Sequence, residues 1–327
     1  MKLRALIAAL VLLASVGGCA ALDTWQRGAI FQVGQAQTRW YSEAPEGTER
    51  FDIVLANGDR VHAWYLPAPS LSSMSRGAAS SPAHAAPTAL YLHGSRWNLH
   101  NSVFRLRRWH ELGFNMLAID YRGFGDSTPI LPSEDSAFED VLAAFEELKR
   151  RQPDPARRFV YGHSLGGALA IRLAAEGETA HALAGVIVES GFTSIADLAA
   201  GTRWGWLPGL RWLVTQRFDS LGRVETVDEP LLFIHGTADR VVPHEMSDRL
   251  HAAATGVRGG LRELLKVEGA SHSGVSRAGG EIYEQRLRAF VEAAGELVTA
   301  RGLQEVKASG LQDVTAPRSA PADPATR

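Results

Sequence analysis

The stretch FVYGHSLGGALAIRLAAE, residues 159–176, contains the feature that decides the fold. An apolar run ends at Tyr161, and a helical pattern begins directly after Ser164. A strand that reverses at once into a helix must turn sharply. Gly162 and Gly166, two residues on either side of the serine, let neighbouring backbone pass closely. The stretch therefore predicts a strand–turn–helix unit that exposes a serine beside the N–H groups of a helix start.

Short apolar runs recur along the chain, and helical patterns separate most of them. Apolar strands joined by crossover helices indicate a mostly parallel sheet covered on both faces. Alternating residues on both sides of Asn57-Gly58, within 50–68, add an antiparallel hairpin. The predicted strands are ALYLHG, NMLAIDY, RFVYGHS, AGVIVES, PLLFIHG and RELLKVEG, and the predicted helices cover 101–112, 134–151, 165–176, 244–254 and 280–300. We therefore predict an α/β protein with a mostly parallel central sheet flanked by helices.

Two further residues are placed to make the serine a nucleophile. Serine alone reacts poorly and needs a base, which in turn needs an orienting acid. Asp239 follows the strand in LLFIHGTADRVVP, and His272 follows the last strand in KVEGASHSG. In a parallel sheet the loops of Ser164, Asp239 and His272 open at the same, carboxyl edge. Glu189, which ends the strand GVIVE, is an alternative acid.

A loop after the first buried strand, His93-Gly94-Ser95, is placed to stabilise negative charge. Such a loop can aim the backbone N–H of Ser95 at a developing oxyanion, and the N–H of Leu165, directly after the nucleophile, supplies a second donor.

Taken together, these motifs resemble those of the α/β-hydrolase superfamily over roughly residues 50 to 300. YLHGS, DYRGFGDS, YGHSLGG, ESGFTS, HGTADRVVP and GASHSG resemble its serine-aminopeptidase-like and depalmitoylase-like branch. The resemblance implies that Ser164 is the nucleophile, His272 the base and Asp239 its partner. It also implies backbone donors at Ser95 and Leu165.

The N-terminus has the features of an export signal. Lys2 and Arg4 precede a 12-residue apolar run, ALIAALVLLASV, which is too short to span a bilayer. VGGC, ending at Cys19, resembles the bacterial lipobox, and Cys19 is the only cysteine of the chain. We predict a lipoprotein signal peptide at 1–18, lipidation of Cys19, and a bacterial envelope location. By resemblance Ala20 favours the outer membrane; a plain signal peptide with an incidental cysteine is the alternative.

Composition shifts suggest how the chain is organised. We predict an anchor and spacer at 19–50, a hydrolase domain at 51–303 and a disordered tail at 304–327. Within the domain, about 68–88 is a flexible loop, and about 191–229 is a cap insertion. Trp204, Trp206 and Trp212 in that insertion either pack onto the domain or form a substrate lid or membrane-facing surface.

Charge and spacing exclude several functions. A net charge of −2 with 21% charged residues gives no nucleic-acid surface. We find neither metal-ligand spacing nor a Gly-rich phosphate loop, so no cofactor is expected. The predicted activity is hydrolysis of a carboxylic ester or thioester in a small-molecule or acylated substrate. Peptide hydrolysis is the alternative within enzymes, a non-catalytic envelope binding protein is the alternative outside them, and no oligomeric state is indicated.

Overall fold

A computed structural model describes residues 18–34, 40–69, 86–177, 182–203 and 205–308. Its described residues form a sheet of eight strands in the order β1-β2-β4-β3-β5-β6-β7-β8. The strands are β1 (Glu49–Val54), β2 (Arg60–Leu66), β3 (Thr88–Leu92), β4 (Asn115–Ile119), β5 (Arg158–His163), β6 (Gly185–Glu189), β7 (Leu231–Gly236) and β8 (Arg262–Val267).

The pairing of the strands confirms the predicted fold class. β1 and β2 form the predicted antiparallel hairpin, and β2 runs antiparallel to β4. Every pair from β4 through β3 to β8 is parallel. The six predicted apolar runs are β3 to β8. Their carboxyl ends therefore lie along one edge of the sheet, where the loops that follow them converge.

Helices follow most of the strands. Each of the five predicted helices is found within a few residues, except that the last is longer and is kinked at Gly280. The main helices are α1 (18–30), α2 (Leu99–Glu111), α3 (Glu134–Arg151), α4 (Leu165–Ala175), α5 (Ile195–Ala200), α6 (Leu210–Leu213), α7 (Ser220–Val224), α8 (Glu245–Ala253) and α9 (Val275–Ala308).

Two apolar layers cover the sheet, one on each face. Leu90 of β3 and Leu169 of α4 belong to the buried cluster on one face. The neighbour of Leu90, Tyr91, belongs, with Trp109 of α2 and Phe290 of α9, to the cluster on the other. Successive residues of a strand point to opposite faces, so an apolar strand can supply both layers.

The segment predicted as an anchor and spacer, 19–50, differs from the structure. Residues 18–30 form a helix, and Phe31, 1% exposed, lies in the core. Its ring packs 5.9 Å from that of Phe218 and 6.5 Å from that of Phe124. The spacer prediction is therefore corrected for this segment, since burial of one large aromatic ring binds it to the domain.

The predicted boundaries near the two low-complexity segments also change. α9 continues to Ala308, so residues 304–308 of the predicted tail are helical, because no Gly or Pro interrupts LQEVKA after Gly302. β3 begins at Thr88, which ends the predicted loop one residue earlier. Residues 1–17, 70–85 and 309–327, which contain the rest of the signal peptide, loop and tail, lie outside the described residues. No helix in the described ranges is both long and apolar enough to cross a membrane.

Candidate active site

Ser164 stands on the turn between β5 and α4 with φ 55° and ψ −114°. A positive φ on a residue other than glycine costs on the order of 1–3 kcal/mol, and it persists only where the surroundings impose it. A Cβ added to Gly162 would lie 2.3 Å from the carbonyl oxygen of Gly166. One added to Gly166 would lie 2.0 Å from the carbonyl oxygen of Leu92. Both glycines are required because backbone passes where a side chain would be.

Asp239 and His272 meet in the loops that follow β7 and β8. The Nδ1 atom of His272 lies 2.7 Å from Oδ2 of Asp239, whose side chain is fully buried. The other carboxylate oxygen accepts the backbone N–H groups of Val241 at 2.8 Å and Val242 at 2.9 Å. His272 and Ser164 line the same cavity. The structure therefore brings together the three residues that the sequence singles out.

A second histidine, His235, contacts the same carboxylate. Its Nε2 lies 3.1 Å from Oδ2 of Asp239 and 3.2 Å from the carbonyl oxygen of Val242. Both neighbours are acceptors, so Nε2 carries the proton and Nδ1 accepts from the hydroxyl of Ser247 at 2.6 Å. Burial raises the pKa of Asp239, but hydrogen bonds from His235 and His272 outweigh it and hold that pKa well below its usual value. No local pattern in the sequence indicates this role for His235.

The backbone carbonyl of His272 is held by two side chains. The hydroxyl of Ser190 donates to it at 3.0 Å, and Nε2 of His163 lies 3.1 Å from it. Burial holds the pKa of His163 well below its ordinary value, so this ring is neutral. Ser190 has φ 54° and directly follows β6. Its signal in the sequence is its place after a strand end in ESGFTS, but the pattern alone did not reveal the contact.

The side chain of Glu189, the alternative acid, contacts a buried arginine and two tyrosines and not His272. Its fully buried carboxylate lies 3.3 Å from Nε of Arg105 and accepts the hydroxyls of Tyr161 at 2.9 Å and Tyr283 at 3.3 Å. Its backbone carbonyl accepts the N–H of Ser164 at 2.9 Å. Glu189 thus supports the serine turn through its backbone, while its side chain neutralises a buried guanidinium.

The two expected oxyanion donors flank the cavity. Ser95 and Leu165 both line it, and Leu165 is the first residue of α4, whose N–H has no partner within the helix. The carbonyl of Ser95 accepts the N–H of Gln32 at 3.0 Å. The segment after α1 therefore supports the oxyanion loop, a contact with no signal in the sequence.

The cavity at this edge has a volume of about 300 Å³. The cap insertion supplies Phe192, Ile195 and Leu198 to its apolar wall, while Trp206 and Trp212 stay outside the lining with 75% and 80% of their surface exposed. Trp204 lies outside the described residues. The lining side chains include Ile30, Arg96, Trp97, Phe192, Ile195, Leu198, Val241, Val242 and Ser273. No aspartate or glutamate occurs among the described residues that line this cavity.

A third buried carboxyl, Asp120, follows β4 at the same edge of the sheet. Burial raises its pKa to about 8 although Oδ1 accepts the N–H of Leu99 at 2.9 Å. Nε2 of His93 lies 3.5 Å from that oxygen, and burial lowers the pKa of His93 to about 4. At neutral pH Asp120 and His93 are therefore uncharged, in contrast to the ionised carboxylate of Asp239.

A serine on a strand-to-helix turn at the top of such a sheet defines the α/β-hydrolase class. Residues 88–222 match the family model described as serine aminopeptidase, S33. The chain is 32% identical over 243 residues to the uncharacterized protein Rv2307c of Mycobacterium tuberculosis, a match that covers 73% of this chain and 78% of that protein. The chain belongs to the α/β-hydrolase superfamily.

Two other similarities are informative about the range of this superfamily. The chain is 33% identical over 186 residues to the lysophosphatidylserine lipase ABHD12 of Danio rerio, covering 51% of this chain and 47% of that protein. The solved structure of the Pyrococcus furiosus esterase Pf2001 shares the fold with a TM-score of 0.59 at 20% identity, covering 79% of this chain and 98% of that one.

Proposed function

We propose that the protein is a serine hydrolase that cleaves a carboxylic ester or thioester through an acyl-enzyme. Oγ of Ser164 attacks the carbonyl carbon while Nε2 of His272 takes its proton. The N–H groups of Ser95 and Leu165 stabilise the oxyanion, and the proton passes to the leaving alcohol or thiol as the acyl–oxygen or acyl–sulfur bond breaks. A water activated by His272 then hydrolyses the acyl-serine.

Asp239 has two functions in this mechanism. Its hydrogen bond to Nδ1 fixes the tautomer in which Nε2 of His272 is free to accept the proton. Its negative charge stabilises the imidazolium that forms. The lowered pKa of Asp239 keeps that charge in place at neutral pH.

The observation that carries the choice of substrate is the chemistry of the cavity wall. Its walls are largely apolar, and the described lining offers the cation Arg96 but no carboxylate. An enzyme that recognises a free amino terminus needs an acidic partner for the ammonium group. An acyl chain needs only apolar contacts, so an ester with an uncharged acyl group fits this cavity better.

Amide hydrolysis is the second candidate, because the matching family model is that of a serine aminopeptidase. The full chain should be assayed with p-nitrophenyl esters from acetyl to palmitoyl and with aminoacyl p-nitroanilides. We expect ester turnover that Ser164→Ala abolishes. The matched control is Ser220→Ala, because Ser220 is a buried serine outside the cavity lining.

The outcomes separate the candidates. Anilide turnover that exceeds ester turnover would assign the protein to the peptidases. A folded protein that neither turns over substrate nor reacts with a fluorophosphonate at Ser164 would be a binding protein.

We further propose that Cys19 is lipidated and anchors the protein in a bacterial envelope, with the outer membrane favoured. Support comes from the lipobox-like sequence and from the exposure of Cys19 at the start of α1. Metabolic labelling with a palmitate analogue should mark the wild-type chain and not Cys19→Ala. Equal labelling of both would refute the anchor.

A further inference from the structure

Four large exposed apolar side chains lie in α1 and the cap insertion. Trp25, Trp206, Trp212 and Leu213 expose 64%, 75%, 80% and 47% of their surface. Single exposed apolar residues are ordinary, whereas a group of them marks an interaction surface. These four residues are called the tryptophan rim.

Hydrogen bonds hold the two parts of the rim together. Nε2 of Gln26, the residue after Trp25, donates to the carbonyl of Leu213 at 2.7 Å. Its Oε1 accepts the N–H of Thr215 at 3.0 Å. Gln26 is buried, so the contact is a fixed junction between α1 and α6. The parts of the rim in α1 and α6 therefore lie on one fixed surface.

This surface borders the mouth of the active-site cavity. Ala29, one helical turn after Trp25, lines the cavity, as does its neighbour Ile30. Leu198 of α5, which belongs to the same insertion as Trp206 and Trp212, also lines the cavity. A body that covered the rim would lie over the entrance to Ser164.

The part of the rim in the cap insertion is flanked by cations, whereas α1 adds charges of both signs, Asp23 and its ion-pair partner Arg27. Arg203, Arg211 and Arg217 lie between Asp197 and Asp219, and no acidic residue occurs between those two aspartates. All three arginines are exposed. Tryptophan side chains favour the boundary between headgroups and acyl chains, and arginines favour the anionic surface beside it.

We propose that the tryptophan rim docks on an anionic lipid bilayer, so that the cavity opens at the bilayer and takes its substrate, an acyl ester, from it. The docking follows from the rim alone. The choice of substrate rests on the proposed function.

Tryptophan quenching tests the docking without reference to catalysis. The full chain would be reconstituted in phosphatidylethanolamine–phosphatidylglycerol vesicles whose acyl chains are brominated, since bromine quenches tryptophan that reaches them. We compare wild type with Trp206→Ser/Trp212→Ser and with a control, Val54→Ser/Ile282→Ser, whose residues are 67% and 63% exposed on β1 and α9.

The amount of quenched emission distinguishes the two cases. If the rim lies in the bilayer, the double tryptophan variant loses quenchable emission and the amount of quenched emission falls, while the control matches wild type. If the rim lies in water, its tryptophans are not quenched, so removing them leaves the amount of quenched emission unchanged, which overturns the docking. A rim that is buried by self-association in sedimentation, without quenching, overturns it as well.

Kinetics test the source of the substrate. We expect the double tryptophan variant to hydrolyse soluble p-nitrophenyl butyrate within twofold of wild type. We expect it to lose at least tenfold on a long-chain ester dispersed in the vesicles, while the control keeps both activities. Equal hydrolysis of the dispersed ester by all three proteins overturns a bilayer substrate. Absence of all ester turnover together with normal quenching refutes the proposed function and leaves the docking standing.

Discussion

Asp120 and Asp239 lie at the same edge of the sheet, follow strands β4 and β7, and each stands beside histidine. Both side chains are almost fully buried. Burial raises the pKa of Asp120 to about 8, whereas the pKa of Asp239 is held well below its ordinary value. Two carboxyl groups in similar surroundings therefore differ in charge at neutral pH: Asp120 is neutral and Asp239 is ionised.

The difference lies in the donors that each carboxyl receives. Asp239 accepts two backbone N–H groups and two histidine N–H groups. Within the described residues, the carboxyl of Asp120 accepts one backbone N–H, from Leu99. Burial alone disfavours an anion, and only a sufficient set of donors reverses that effect. Donor count rather than depth decides which of the two can assist a base.

The largest expected effect comes from neutralising each carboxyl in turn. Asp239→Asn removes the charge that stabilises the imidazolium and allows the wrong tautomer, so we expect kcat to fall about 10⁴-fold. Asp120→Asn should leave kcat within about tenfold, because this carboxyl is already neutral at pH 7. Ester turnover at saturating substrate measures both. A similar loss of kcat in the two variants would show that the two carboxyl groups do not differ in charge as described.

Stability against pH tests the neutral state of Asp120. Its folded-state pKa is raised, so between about pH 4 and 8 the unfolded chain ionises while the folded one keeps its proton. Wild type should therefore lose on the order of a few kcal/mol of unfolding free energy relative to Asp120→Asn as pH rises through that window. Urea titrations of both proteins from pH 5 to 8 measure it. Parallel curves would show that Asp120 is ionised.

Removing one donor from Asp239 tests the opposite case. His235→Leu leaves the carboxylate with fewer donors, and we expect a loss of roughly 1–3 kcal/mol of unfolding free energy at pH 7. The pKa of Asp239 is depressed, so its contribution is present above the unfolded pKa of about 3.9 and is lost as pH falls through the folded value. The gap between wild type and variant should narrow below about pH 4. His235→Gln, which keeps a donor, should restore part of the stability.

The smallest expected effect concerns how His272 is held near Asp239. Ser190→Ala removes one of the two hydrogen bonds to the carbonyl of His272, a net loss of about 1 kcal/mol. We expect kcat to fall about fivefold with KM unchanged, since the base is displaced and the cavity wall is not. A change in KM alone would show that Ser190 acts on substrate binding.

The sequence predicts those features of the structure that depend on residues close together along the chain. The sheet, the turn at Ser164 and the loops of Asp239 and His272 are marked by local patterns, and the structure brings those residues together. The cap insertion is marked by its length and tryptophans. The contacts of the insertion have no such local signal, because the exposure of its tryptophans depends on which other segments pack beside them.

The parts that sequence reasoning missed depend on residues far apart in the chain. Gln26 bonds to Leu213, and Gln32 bonds to Ser95, across separations that no local pattern encodes. Residues 23 to 50 are weakly patterned, so they suggest a spacer. His235 ends its strand in the same HG pair as His93, and only the neighbouring loop shows that one histidine binds an ionised carboxylate and the other does not.

The hydrogen bond from Gln32 to Ser95 also limits how far the protein can work from its anchor. Residues 19–30 are helical, and at 1.5 Å per residue they span about 18 Å. With Cys19 acylated, as proposed, this helix takes the place of a long flexible linker. The segment after it is bonded to the oxyanion loop. Ser164 would then reach only substrates close to the leaflet that holds the anchor. Substrates farther into the periplasm would have to diffuse to that surface.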